Sequence, residues 1–256
     1  MKLGHIDRSG DIPEKVDQRI CSVLCYATFR IFLPMVNRLE TIKCCARGFL
    51  EEESCGHDFL HCMRVVRIAE EIAKADYPSL NLETLHAAAL MHDICRPWEH
   101  KTGRSHFSEE ALGLIDVQLE KSGYDNDNRV KILDIIRWHD VYDPTLIPAD
   151  SNTDELRVDQ DADRLDAMGA IGIARTFAFG GARNRPLFVP GENLEFSTHF
   201  VDSPANRTSS IAHFYEKLLK LREQMHTPTG KRLAEIRHSR MKRFLAEFFE
   251  EWGAVS

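Results

Sequence analysis

At 256 residues, with 43% hydrophobic residues and 10 prolines, the chain has the length of one large domain or two small ones and the composition of an ordered globule. Its 33 Lys and Arg against 40 Asp and Glu leave a net charge of −7, which argues against a protein that coats nucleic acid or an anionic membrane. The seven cysteines, an odd number, all fall in the first 95 residues, a pattern of free thiols in a reducing compartment rather than a disulfide framework, so a cytoplasmic chain is expected.

The first notable stretch is the apolar run "ICSVLCYATFRIFLPMV" at 20–36. Arg30 sits in its body and Pro34 near its end, and a mixed-charge segment precedes it, which makes it a poor spanning helix and a poor signal peptide. It reads as one or two core helices within an N-terminal extension covering residues 1–50, ahead of a domain covering 51–256. Cys21, Cys25, Cys44 and Cys45 match no common zinc-ligand spacing.

Helical periodicity dominates the chain beyond that extension. Between His57 and Ala75, His61, Val65, Ile68 and Ile72 share one face. A second helix enters at Asn81 and runs to the adjacent pair His92-Asp93. A third covers 108–121, entered at Ser108. A fourth covers about 128–139, with Ile132, Ile135, Ile136 and His139 on one stripe. A fifth is expected from Thr153 continuously to Gly180-Gly181. After a long connection at 180–208, read as a lid-like loop that carries Arg183 and Arg185, two more helices are expected at 209–226 and 228–252. No alternating strand pattern appears, so the fold class is all-α. On the last helix, Lys231, Arg232, Arg237, Arg240, Lys242 and Arg243 oppose an apolar stripe and read as a solvated face.

Four of these helices turn a metal-competent side chain onto an otherwise apolar face: His61, then His92 with Asp93, then His139, then an aspartate of "QDADRLDA". Each would need its own partner in the core, whereas one divalent cation satisfies them together. Periodicity leaves the last ligand open between Asp161 and Asp163. Imidazoles and carboxylates together form a nitrogen–oxygen shell suited to Mn, Mg, Fe, Ni or Co.

The motifs "HDFLHCMRVV", "AALMHDI", "QDADRLDAMGAIGIARTF" and "MKRFLAEFFEEW" together resemble the HD superfamily of metal-dependent phosphohydrolases, in particular its YedJ/YpgQ-type single-domain members, over roughly residues 52–252. The resemblance implies an HD-domain helical bundle, one divalent metal ion and the ligand set His61, His92, Asp93 and Asp163, with the "DRL" context choosing Asp163 and leaving Asp161 as runner-up. It also implies a small phosphorylated substrate, a nucleoside triphosphate split into monophosphate and pyrophosphate. Asp93, His139 and Arg96 are the expected catalytic group. Arg96, His139, Arg164, Arg183, Arg185 and Lys217 are the expected substrate contacts. His139 is read as a phosphate or proton-transfer group ahead of a second-metal ligand. The second dipeptide, His57-Asp58, reads either as a helix-start charge and cap or as a contact to the site. No nucleic-acid or membrane partner is expected, and a homodimer stays open. Two rival readings are kept: a nucleotide sensor without turnover, and a di-iron oxygenase on the same helical fold, which would need more histidine ligands.

Overall fold

The computed structural model describes residues 37–53, 56–196 and 209–253, and among them all regular structure is helical. The apolar run at 20–36 and the second half of the long connection lie outside the described residues. The helices are α1 (Arg38–Phe49), α2 (Phe59–Asp76), α3 (Leu82–Met91), α4 (Arg96–Thr102), α5 (Glu109–Lys121), α6 (Asn126–Trp138), α7 (Asp154–Asp166), α8 (Gly169–Ala182), α9 (Ser210–Glu216) and α10 (Pro228–Trp252). No helix among the described residues is long and apolar enough to cross a membrane.

Most helix starts follow the local chemistry. Asn81, Ser108, Asp125, Thr153 and Thr227 each cap a helix by accepting from backbone N–H groups of its first turn. The expected fifth helix is instead two. α7 ends at Asp166, Met168 is extended, and Gly169 has φ +70°, a left-handed conformation that a side chain disfavours. A Cβ there would also press on the Arg237 side chain. Gly169→Ala is therefore expected to lower stability by about 1–2 kcal/mol, read from the urea unfolding midpoint; an unchanged midpoint would show that the bend tolerates a side chain. The expected helix over 209–226 is likewise shorter: α9 stops at Glu216, Lys217 leaves helical φ/ψ, and Leu218–Gln224 continues as a 3-10 helix.

Two apolar clusters make the core. One joins Ile42, Cys45, Ala46 and Leu50 of α1 and its C-cap to Ala87, Ala88 and Met91 of α3, Ile115 and Leu119 of α5, and Ile132 and Ile136 of α6. Residues of the expected N-terminal extension are thus packed in this cluster. The other joins Val65, Ile68 and Ile72 of α2 to Val158, Ala162 and Leu165 of α7, Phe214 of α9, and Ala234, Met241 and Leu245 of α10. Helices α2, α3 and α7 contribute to both clusters. Polar side chains at the ends of α3 and α6 and on α2 and α7 meet where those helices cross.

Candidate metal centre

Asp58 caps α2 by accepting from the His61 backbone N–H at 2.7 Å, which sets His61 in the first turn. His92 and His139 are the residues on which α3 and α6 end. Each of these two rings folds back onto its own helix: His92 Nδ1 donates to Ala89 O at 2.9 Å, and His139 Nδ1 donates to Ile136 O at 2.7 Å. A carbonyl oxygen only accepts, so the proton sits on Nδ1 and the Nε2 lone pair points elsewhere. His61 is held the same way by a carboxylate, its Nδ1 lying 2.8 Å from Asp166 Oδ2. Asp166 is in turn gripped by Arg64, at 2.7 and 3.0 Å, and by Arg175 at 2.9 Å.

The Nε2 atoms of His61 and His92 face each other at 3.2 Å. Asp163 Oδ1 lies 3.3 Å from the former and Asp93 Oδ2 lies 3.4 Å from the latter. His139 joins the same gathering, since ligand atoms of His92, Asp93 and His139 lie within 4.8 Å of one another. Nitrogen lone pairs and carboxylate oxygens at these separations repel unless a positive body sits among them. Without a metal, protons are that body. Burial and the Arg175 charge push the His61 pKa down, but hydrogen bonds with Asp163, Asp166 and Asp93 outweigh both and bring it up to about 10. His92 is likewise raised, burial being overcome chiefly by the Asp93 and Asp163 charges. Such a donor set fits a divalent cation, which would replace those protons. The carboxylate behind His61 and the carbonyls behind His92 and His139 are the outer partners that hold imidazole ligands in place.

A model of the HD domain matches residues 58–168. The protein YpgQ of Bacillus subtilis is 32% identical over 212 residues, spanning 83% of this chain and 92% of YpgQ. This chain belongs to the HD superfamily. Solved structures agree. A Lactobacillus plantarum protein superposes with a TM-score of 0.70 at 32% identity, over 87% of this chain and 100% of its own. An HD-superfamily hydrolase of Bacillus thuringiensis gives 0.62 at 34% identity, over 85% and 98%. YpgQ in complex with ADP gives 0.62 at 29% identity, over 84% and 94%.

Around this HD-superfamily centre the remaining expected residues divide. Asp161 faces away from the gathering, accepting from His226 N, Thr227 N and the Thr227 hydroxyl at 2.7 to 2.8 Å. Arg96 is placed against Asp93, donating from Nε at 2.8 Å, and it also meets Glu99 at 3.2 Å and Asp140 at 3.6 Å. Arg164 is 3% exposed, and its guanidinium donates to Gln224 O at 2.7 Å and Val141 O at 3.1 Å, contacts that tie two loops together. Lys217 Nζ lies over the Tyr142 ring. Arg183 stacks on Phe179, 3.5 Å from the ring centroid, and Arg185 lies 5.7 Å from it. The Phe179 ring in turn sits beside His57.

Sequence reading left His57 open and missed His106, Arg64 and Asp166. His57 contacts Asp93 Oδ2 through Nδ1 at 2.6 Å, while Asp58 serves as the α2 cap, so both roles weighed for that dipeptide are present, one on each residue. His106, in the connection before α5, is 2% exposed, pairs with Glu99 at 2.9 Å and lies 3.8 Å from Asp93. A loop histidine carries no periodicity that could have flagged it. Arg64 and Asp166 stood inside the quoted motifs, three residues after His61 and Asp163 respectively, and that shared spacing was their signal. Cys44 is exposed and Cys45 is buried beside Gln118, and neither belongs to a possible metal group among the described residues.

Proposed function

We propose that this HD-superfamily hydrolase is a metal-dependent phosphohydrolase that converts nucleoside triphosphates to monophosphate and pyrophosphate, with His61, His92, Asp93 and Asp163 holding one divalent ion. The observation that carries the reading is the convergence of two Nε2 lone pairs with two carboxylates on a spot whose outer side is partly open at Asp163, His57 and Arg96. The nucleotide follows from the resemblance to YpgQ-type members, and YpgQ itself has been solved with ADP. An ion held there supplies Lewis-acid polarisation of phosphoryl oxygens and acidifies water.

The chain's own residues do the rest. Arg96 and His57 keep Asp93 ionised and in place: burial alone would raise its pKa, but the Arg96 charge, followed by that of His92 and the hydrogen bond with His57, holds it well below the carboxylate range. His139 presents an Nε2 lone pair because Nδ1 is committed to Ile136 O, and burial lowers its pKa, so the ring stands neutral and able to take or relay a proton from water attacking the α-phosphorus. Arg183 and Arg185, beside the Phe179 ring, are the cations read as contacts for outlying phosphates.

The test separates bond positions. A triphosphate with a non-hydrolysable β,γ bridge is expected to be cleaved, because that bond is not broken, whereas an α,β-bridged analogue is expected to resist. His139→Ala should lower turnover by about 10²- to 10⁴-fold while metal content stays near that of the parent. Release of a diphosphate and free phosphate would place the substrate one phosphate out of register. Joint consumption of iron-dependent reducing equivalents and oxygen, with no nucleotide turned over, would put the oxygenase reading in its place.

A further inference from the structure

One buried acidic group has no part in the centre as described. Asp159 lies on α7 one turn before Asp163 and on the same helix face, and it is 1% exposed. Neither of its carboxylate oxygens has a hydrogen-bond partner. Native structures seldom keep such a group, because nothing offsets its lost hydration. Burial raises its pKa, to about 7, which leaves the carboxyl poised between its neutral and charged forms, and the four side chains whose charges then act on it are His92, Asp163, Asp93 and His61. Those are the four proposed ligands.

The charge around the centre shows what the residue is for. Asp93 has Arg96 on one oxygen, at 2.8 Å, and His57 on the other, at 2.6 Å. Asp166 is matched by Arg64 and Arg175. Arg96 is shared by Asp93, Glu99 and Asp140, and Asp163 is the one carboxylate of the proposed ligand set with no arginine partner among the described ion pairs; a doubly charged ion in a buried setting draws on whatever negative charge lies near it.

We propose that Asp159 is a positioning residue of the metal centre, supplying from one turn behind Asp163 the further negative charge that a bound divalent cation requires. This inference rests on the metal-centre reading and not on the choice of substrate. The unpartnered carboxylate is a misfit in the metal-free protein and a counter-charge in the loaded one. Removing it should therefore move stability and metal affinity in opposite directions, which a purely structural residue would not do.

The experiment is calorimetric titration of the metal-free full chain with Mn(II), together with its melting temperature before metal is added. Asp159→Val should melt higher than the parent when metal-free yet bind Mn(II) about 10- to 100-fold more weakly. Asp159→Asn, which keeps the shape and loses the charge, should show the same loss of affinity and carries the test alone if the valine variant does not fold. Equal affinity in parent and Asp159→Asn would overturn the proposal. If the parent itself binds none of Mn, Mg, Fe, Ni or Co, the metal-centre reading fails first and takes this proposal with it.

Discussion

Asp93→Ala is expected to abolish stoichiometric metal retention and all hydrolysis while leaving the helical circular dichroism of the chain largely unchanged. The carboxylate is where four side chains meet: Oδ2 faces His57 at 2.6 Å and the Nε2 atoms of His61 and His92 at 3.5 and 3.4 Å, and Oδ1 takes the Arg96 Nε–H at 2.8 Å. Truncation removes a ligand and at the same time releases the two groups that orient it. His57 and Arg96 lose a buried acceptor, so folding stability should fall by about 1–3 kcal/mol, moderated because Arg96 keeps Glu99 at 3.2 Å. Metal analysis of the purified variant decides the matter. One ion per chain in Asp93→Ala would mean that the cation is held elsewhere.

The second large effect is a contrast between two aspartates two residues apart. Asp163→Ala should lose the metal and keep most of its stability, because that side chain is partly exposed and has Oδ1 turned to the His61 and His92 Nε2 atoms at 3.3 and 4.0 Å. Asp161→Ala should do the reverse. Its carboxylate accepts from three donors ahead of α10, two of them on buried Thr227, and Gly230 packs so closely on Asp161 Oδ2 that a Cβ there would collide with it. Leaving those donors unpaired should cost about 3–5 kcal/mol in urea unfolding, with metal content still near that of the parent. An Asp161→Ala protein that unfolds normally but has lost its metal would reverse the assignment of the two residues.

The contrast also shows where sequence reading reaches its limit. His61, His92 and His139 were legible because each interrupts an apolar stripe of known period, and each lies where the stripe placed it, on a buried helix face. Asp161 and Asp163 were not separable in that way, since both fit an apolar stripe of α7 and only the family motif preferred one. Arg164 was drawn to the site by its adjacency to Asp163. Successive residues of a helix point about 100° apart, and the structure turns Arg164 toward Val141 and Gln224. The expected single helix from Thr153 to Gly180 failed at one residue, Gly169, whose left-handed φ is open to a glycine but not demanded by it.

What the sequence determined by itself is the part that depends on local repetition: an all-α chain, the helix starts at Asn81, Ser108 and Thr153, and the helix faces that carry His61, His92 and Asp93. What only the tertiary structure decided is which polar group answers which. His57 meets Asp93 across 36 residues, His61 meets Asp166 across 105, and Asp161 meets Thr227 across 66. Pairings of that range arise from how α2, α3 and α7 cross between two apolar clusters, and no helical period encodes a crossing. For the same reason Asp159 looked like any other acid of an acidic helix until the fold buried it without a partner, within reach of the charges of the gathered histidines and aspartates.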